Sequence, residues 1–359
     1  MNGEKLLEAI GNIDDKLISD AENIKPFKRN SIIKYSSIAA CFAVLFTSVF
    51  FLSSRNNEKL PMLTIGLDEN SGAGFGYEGL IAYDISDLTN ANPWNENAKL
   101  YTLPVYKNLY TYDIYGNLPE TGDEYAENLL KLVKQKTENL SGVTVERSLG
   151  GFAIDIKFEP SVELGGNYSF GYNSSFDELK EVAQYFLNEY KDIIDMKKPI
   201  INIYDGDYNI YGERLYNIYF YEGEGDLTDR FLNYHFDNVS FYPDDEGRLS
   251  FIRIEKTDLS GKVGDYPIID CTEAEELLFD GKYITTVPYT LTNNDKVAKT
   301  ELVYRNGGWE KYYMPYYKFY IELPDNNLKN GLKDFGIYYV PAVEGKYITD
   351  MPIWDGSFN

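Results

Sequence analysis

Histidine and cysteine are almost missing from this chain: His235 is the one histidine, and Cys41 and Cys271 are the two cysteines. A zinc site of the ordinary Cys/His kind needs four such ligands and is excluded. A disulfide framework is excluded too, because Cys41 sits inside an apolar run and Cys271 lies far beyond it. Positive charge is also scarce, with 34 Lys+Arg against 57 Asp+Glu and a net charge of −23. The residues before Leu60 hold 8 of the basic and 7 of the acidic side chains, which leaves 26 and 50, a net of −24, for the remainder. Such a surface repels nucleic acid, so no nucleic-acid partner is expected.

Long hydrophobic runs are absent with one exception. Tyr35 to Ser54 carries no charge and lies between Lys34 and Arg55. Twenty helical residues at about 1.5 Å each would span roughly 30 Å, the hydrocarbon thickness of a bilayer. A buried core helix would show a polar face, and a cleaved signal peptide would follow a shorter leader and end in a small-residue site. The run is therefore read as a retained transmembrane helix over 31–55, with Lys34, Ile38, Phe42, Leu45, Phe46, Val49, Leu52 and Arg55 as its membrane-facing and flanking residues. Lys25, Lys28, Arg29 and Lys34 outnumber Arg55 and Lys59. The expectation is a single-pass protein of a bacterial cell membrane, N-terminus cytoplasmic and C-terminal region extracytoplasmic, with the lipid bilayer as one partner.

Residues 1–30 are expected to form a cytoplasmic helical segment. Leu6, Ile10, Ile13 and Leu17 follow at spacings of 4, 3 and 4 and would form one seam on a helix. Thirty residues cannot bury a core alone, so the seam is expected to contact a cytoplasmic protein partner, with a spacer or a membrane-surface helix as alternatives.

Beyond a linker at 56–99, three stretches share a plan. "TGDE" (Thr121–Glu124), "SFDE" (Ser175–Glu178) and "TEAE" (Thr272–Glu275) each read as a helix-opening capping box. Strand-like sequence follows each one. In "GFAIDIKF", Phe152, Ile154, Ile156 and Phe158 alternate with other residues; "IINIY" leads into a turn at "DGD" and then "RLYNIYFYEG"; "YYKFYIEL" and "GIYYVPAV" close the chain. The predicted fold class is α+β: a short cytoplasmic helix, one transmembrane helix and extracytoplasmic repeats of a helix plus antiparallel strands. A loop-like break near Lys256–Tyr266 divides a first region, 100–260, from a second, 261–359.

Sites are harder to find. "DGDYNIYGE" (Asp205–Glu213) places Asp205, Asp207 and Asn209 like calcium ligands, but Ile210 and Tyr216 stand where glycine and glutamate are needed, so it reads as a polar hairpin turn. "GAGFG" (Gly72–Gly76) lacks the third glycine of a dinucleotide fingerprint. Cys271 precedes a helix among acidic neighbours and reads as structural. No cofactor, metal or catalytic residue is expected.

"GEKLLEAIGNIDDKLISDAE", the basic spacer and one apolar run together resemble the membrane-bound anti-sigma-factor-like regulators of clostridial-type bacteria. "YPIIDCTEAEELLFDGKYITT" with "ELVYR", "PYYKFYIEL" and "YYVPAV", roughly residues 266–350, is similar to PepSY-like and YycH/YycI-like extracytoplasmic regulatory domains. These resemblances imply a sigma factor or kinase as the inner partner, and a protein, peptide or cell-wall component as the outer one. The expected function is a non-enzymatic regulator or sensor. The alternatives are an anchored surface hydrolase using paired carboxylates and a passive surface-binding protein.

Overall fold

Apolar residues at period two dominate the chain after Leu60, and strands are accordingly its main element. The computed structural model describes residues 60–66, 78–109, 123–148, 153–165, 168, 170–324, 328 and 331–356. All of the described residues fall within one compact unit, residues 60–359. Among the described residues there are thirteen strands and five α-helices.

Six strands form the largest sheet: β3 (Val143–Arg147), β4 (Ala153–Val162), β5 (Pro199–Tyr208), β6 (Arg214–Glu222), β7 (Asp237–Pro243) and β8 (Leu249–Lys256), in the antiparallel order β3-β4-β8-β7-β6-β5. Alternation gives this sheet two unlike faces. Ile154, Ile156, Ile203, Ile218, Phe220, Val239, Phe241, Ile252 and Ile254 turn to an apolar core. That core is covered by α1 (Asp123–Lys136), α2 (Phe176–Glu189) and α3 (Lys191–Ile194). Helix α2 opens on the expected box, Ser175 capping Glu178, and buries Leu179, Val182, Ala183 and Phe186 as one stripe. Along the same strands the intervening residues are Asn202, Tyr204, Asn217, Tyr219, Tyr221, Asn238 and Ser240. One face is thus oily and the other is built from tyrosine and amide.

A four-stranded sheet has the order β1 (Gly79–Ala82), β13 (Lys333–Pro341), β12 (Pro315–Glu322), β10 (Val297–Tyr304), and a small one has β11 (Tyr312–Tyr313), β2 (Thr102–Lys107), β9 (Lys262–Pro267). Strand β12 is buried on both faces: Tyr317, Phe319 and Ile321 enter one cluster, while Tyr316 and Tyr320 enter two others. Helices α4 (Leu227–Phe236) and α5 (Cys271–Phe279) pack on the cluster that holds Tyr317.

The three expected helices exist, but the α+β repeat does not describe the fold, which is mostly β-sheet. Strands of the supposed units pair across unit borders, β4 with β8 above all, because α1, α2 and α3 share one apolar face that only a single wide sheet can supply. Two caps also differ. The helix at "TEAE" is capped by Asp270, which accepts from the Glu273 N–H, and Asp226 with Asp229 forms a capping box that opens α4.

The single-pass membrane reading is corrected as well. No helix among the described residues is long and apolar enough to cross a membrane. Helices α1 and α2, at 14 residues each, span about 21 Å against the roughly 30 Å required. The bacterial cell-membrane location with an extracytoplasmic C-terminal region therefore has no support in the structure. The segment 31–55, with Lys34, Ile38, Phe42, Leu45, Phe46, Val49, Leu52 and Arg55, lies outside the described residues. So do Leu6, Ile10, Ile13 and Leu17, the cap residue of "TGDE", and "GAGFG".

Candidate functional site

Where β5 and the end of α4 meet the four-stranded sheet, a cavity of ≈ 340 Å³ opens. Its wall draws on β5 (Tyr204, Asp205), α4 (Tyr234, His235), β10 (Glu301, Val303, Tyr304), β12 (Lys318, Tyr320), β13 (Tyr339) and the turn after β10 (Arg305, Glu310). The volume sits at the low end of the ~300–1,000 Å³ typical of small-molecule sites.

A strap over Asp84–Trp94 joins the two sheets beside this cavity. It begins with a short 3₁₀ turn, Ile85–Asp87, capped by Asp84. Toward the six-stranded sheet, the Thr89 N–H donates to the Asp205 carbonyl at 3.1 Å, and the Thr89 hydroxyl donates to the Ile203 carbonyl at 3.1 Å. The Tyr221 hydroxyl donates to the Ala91 carbonyl at 2.7 Å. Toward the other sheet, the Asn90 amide donates to Glu301, the Asn92 amide donates to the Leu302 carbonyl at 2.9 Å, and Lys299 Nζ donates to the Leu88 carbonyl at 2.9 Å. A second, more open cleft shares Leu88, Thr89, Asn90 and Glu301 with the first.

Glu301 is 6% exposed and fully engaged. Lys299 Nζ lies 2.8 Å from its Oε1, and the Tyr320 hydroxyl donates to Oε2 at 2.8 Å. Burial pushes this carboxyl up, but the Lys318 and Lys299 charges with the Lys299 and Asn90 hydrogen bonds outweigh it, leaving it below the usual range. Lys318 stands directly across the ladder from Glu301 and over the Tyr320 ring at 4.8 Å. Among the described residues no carboxylate oxygen lies within 4 Å of its ammonium. Burial opposes its charge, yet the Tyr320 hydroxyl and the Glu301 and Asp205 carboxylates hold its proton more tightly than in an ordinary lysine.

Asp205 is the other unusual group. Its φ of 70° is left-handed, and it precedes Gly206 on a bulge of β5, where the register with β6 shifts. Burial pushes its carboxyl up to about 6, against the Asn217 amide that donates to it and the Lys318 charge; Asp207 adds to the rise. The polar hairpin turn expected within Asp205–Glu213 is present but begins later than "DGD": β5 runs on to Tyr208, and the turn falls at residues 209–213. Gly206 has φ 95°, and a Cβ there would come within 2.3 Å of Tyr216 Cε1 and 2.5 Å of the Asp87 carbonyl oxygen. The Gly206→Ala substitution should therefore lift the strap from β5 and cost more than about 2 kcal/mol, read from the urea midpoint.

Among the described residues, two buried nitrogen atoms in the cavity wall have no hydrogen-bond partner. His235 Nδ1 donates to the Phe231 carbonyl at 2.8 Å, which leaves Nε2 as an unfilled acceptor. Burial pushes this imidazole down to about 4, so it is neutral near pH 7. Arg305 binds Glu310 through Nε at 2.7 Å and lies 4.8 Å over the Tyr339 ring, while its Nη1 is unfilled.

Asp205 yields a pH prediction. Its folded value lies above the unfolded value near 3.8, so its contribution to stability is complete below about 3.8 and is lost as pH rises through about 6. Asp205→Asn removes that loss. Relative to wild type, the variant should gain up to about 3 kcal/mol between pH 4 and pH 7, measured by denaturation at each pH.

Cys271, the first residue of α5, is half-buried; burial raises its thiol further from reactivity, as do Glu96 and nearby acids, which agrees with a structural role. No cluster of potential metal ligands occurs among the described residues. Sequence reading had noticed His235 and Asp205 without joining them, and had missed Lys318. The signal for Lys318 was a lysine two residues from tyrosine on either side, in a strand with no polar face.

No protein-family model matches the chain, and no curated protein matches it. Among solved structures, an uncharacterized protein from Eubacterium rectale ATCC 33656 is similar at 11% identity and a TM-score of 0.28, over 68% of this chain and 85% of its own. A likeness that weak carries no argument about fold or function. None of these comparisons indicates an enzyme.

Proposed function

We propose that residues 60–359 form the ligand-sensing part of a regulator, with the cavity between β5, α4 and the four-stranded sheet as the place where a small polar ligand binds. The observation that carries this reading is Lys318: a lysine ammonium on a central strand, lining a cavity, with no carboxylate within 4 Å among the described residues. Burial opposes that charge, and the Tyr320 hydroxyl with the Glu301 and Asp205 carboxylates offsets the burial without a direct ion pair among the described residues. A ligand carboxylate would supply that direct pair. A binding role also suits the acids. Glu301 and Glu310 are held by Lys299 and Arg305, and so are engaged as structural anions. The strap gives binding a consequence, since it donates hydrogen bonds to both sheets beside the same cavity. The likeness of residues 266–350 to regulatory domains points the same way. For residues 1–30, the seam Leu6, Ile10, Ile13 and Leu17 remains the proposed contact with a signalling partner such as a sigma factor, on its spacing.

The test is a thermal-shift screen of small polar compounds (amino acids, monosaccharides, organic acids and cell-wall sugars) on wild type and on Val303→Phe. Val303 lines the cavity, and a phenyl ring there would fill part of it. Compounds that raise the wild-type midpoint should lose their effect in the variant. Equal shifts in both proteins, or none in either, would sink the proposal.

A further inference from the structure

Once internal pairs are set aside, the lining of the cavity divides sharply by charge. Glu301 is matched by Lys299, and Glu310 by Arg305. What remains charged without an ion pair is Lys318 among the bases, and Asp205 and Glu78 among the acids; Lys318 and Asp205 feel each other's charge. Glu78 receives only a long hydrogen bond, 3.4 Å, from the Tyr339 hydroxyl, and Asp205 receives one from the Asn217 amide. Neither has a cation within 4 Å among the described residues. Tyrosine rings line the same cavity: Tyr204 beside Asp205, Tyr234 from α4, and Tyr320 and Tyr339 from the four-stranded sheet.

This distribution discriminates among ligand classes. A simple organic acid would satisfy Lys318 but would bring a second anion toward Asp205 and Glu78. A neutral sugar would leave all three charges without a direct ion-pair partner. A plain amine would meet the two carboxylates and the aromatic faces, which attract ammonium, but would crowd Lys318. A molecule with a carboxylate at one end and an ammonium at the other answers both signs of charge at once.

Resting on the reading of this cavity as a ligand site, we infer that it takes a small amino-carboxylate, a free amino acid or a close derivative, with its carboxylate on Lys318 and its ammonium against Asp205 and the tyrosine rings. Charge-assisted hydrogen bonds of this kind are worth about 1.5–3 kcal/mol each, so losing either end should weaken binding by roughly tenfold to a hundredfold.

The experiment uses the full chain and calorimetric titration with each of the twenty L-amino acids, then with the N-acetyl and methyl-ester forms of the tightest. Acetate, propionate and glucose serve as comparators. Wild type, Val303→Phe, Lys318→Met and Asp205→Asn are titrated in parallel; methionine keeps the length of the lysine stem, and asparagine tolerates the left-handed backbone at 205. The inference predicts that at least one amino acid binds wild type, that each blocked form binds at least about tenfold more weakly, and that Lys318→Met abolishes the penalty of esterification while Asp205→Asn abolishes that of acetylation. If acetate, propionate or glucose binds wild type but not Val303→Phe while no amino acid does, the ligand class is wrong and the site stands. Amino acids that bind with no dependence on Lys318 or Asp205 also overturn the inference. If no compound distinguishes wild type from Val303→Phe, the site itself is wrong.

Discussion

Replacing Glu301 by alanine is expected to cost about 3–5 kcal/mol, the range for removing one member of a buried ion pair. Three groups lose their acceptor together: Lys299 Nζ, the Tyr320 hydroxyl and the Asn90 amide. Lys318, already without a carboxylate within 4 Å, loses the anion directly across the ladder. Asn90 belongs to the strap, so the connection between the two sheets weakens too. Urea denaturation followed by tyrosine fluorescence should show the midpoint fall, and added salt should change it little because the pair is shielded from solvent. The pH dependence has a definite sign. Glu301 sits below the usual carboxylate range when folded, so its contribution is present above the unfolded value near 4.5 and is lost as pH falls through the folded one. The gap between wild type and Glu301→Gln should therefore close on acidification below the unfolded value near 4.5. A loss under about 1 kcal/mol for Glu301→Ala would show that Lys299 and Lys318 find other partners.

Phe186→Ala should cost about as much, roughly 3–5 kcal/mol, by a different route. Phe186 is fully buried on α2, stacks on Phe241 of β7 at 4.4 Å between ring centres, and meets Phe170 edge-on at 5.2 Å. Its removal leaves a cavity among aromatic rings that cannot collapse, because Phe241 is held by the β-ladder on both sides. Phe186→Leu keeps most of the volume and should lose under about 2 kcal/mol. Equal losses for the two variants would mean that helix α2 repacks freely, contrary to the tight aromatic cluster. Neither variant should alter ligand binding, since Phe186 lies on the oily face of the six-stranded sheet and the cavity borders the other.

Local elements were legible in the sequence where local chemistry decides them. Ser175 and Glu178 announced α2, and alternation through Ile154, Ile156 and Phe158 announced β4. Errors of detail have local causes as well. Asp270 outcompetes Thr272 as a cap, and Asp226 escaped notice because its box is closed by Asp229, not by glutamate or glutamine. Sheet membership was not legible. Nothing near β4 says that it pairs with β8 about a hundred residues later; shared burial beneath α1 to α3 decides that. The cavity was illegible for the same reason, since Asp205, His235, Glu301 and Lys318 come from four elements. Asp205 was further disguised: "DGD" reads as a turn, whereas the left-handed residue and Gly206 form a bulge inside a continuing strand. Lys318 carried a usable signal, a charge at an interior position of a strand buried on both faces, and that pattern merits weight in other tyrosine-rich sheets.

The central claim is that the space beside Lys318 is a binding site, and isothermal titration of wild type against Val303→Phe with the most stabilising compound tests it most directly. The account predicts one site per chain in wild type and at least about tenfold weaker binding in the filled variant. Indistinguishable affinities in the two proteins would contradict it and would place any ligand elsewhere on the chain.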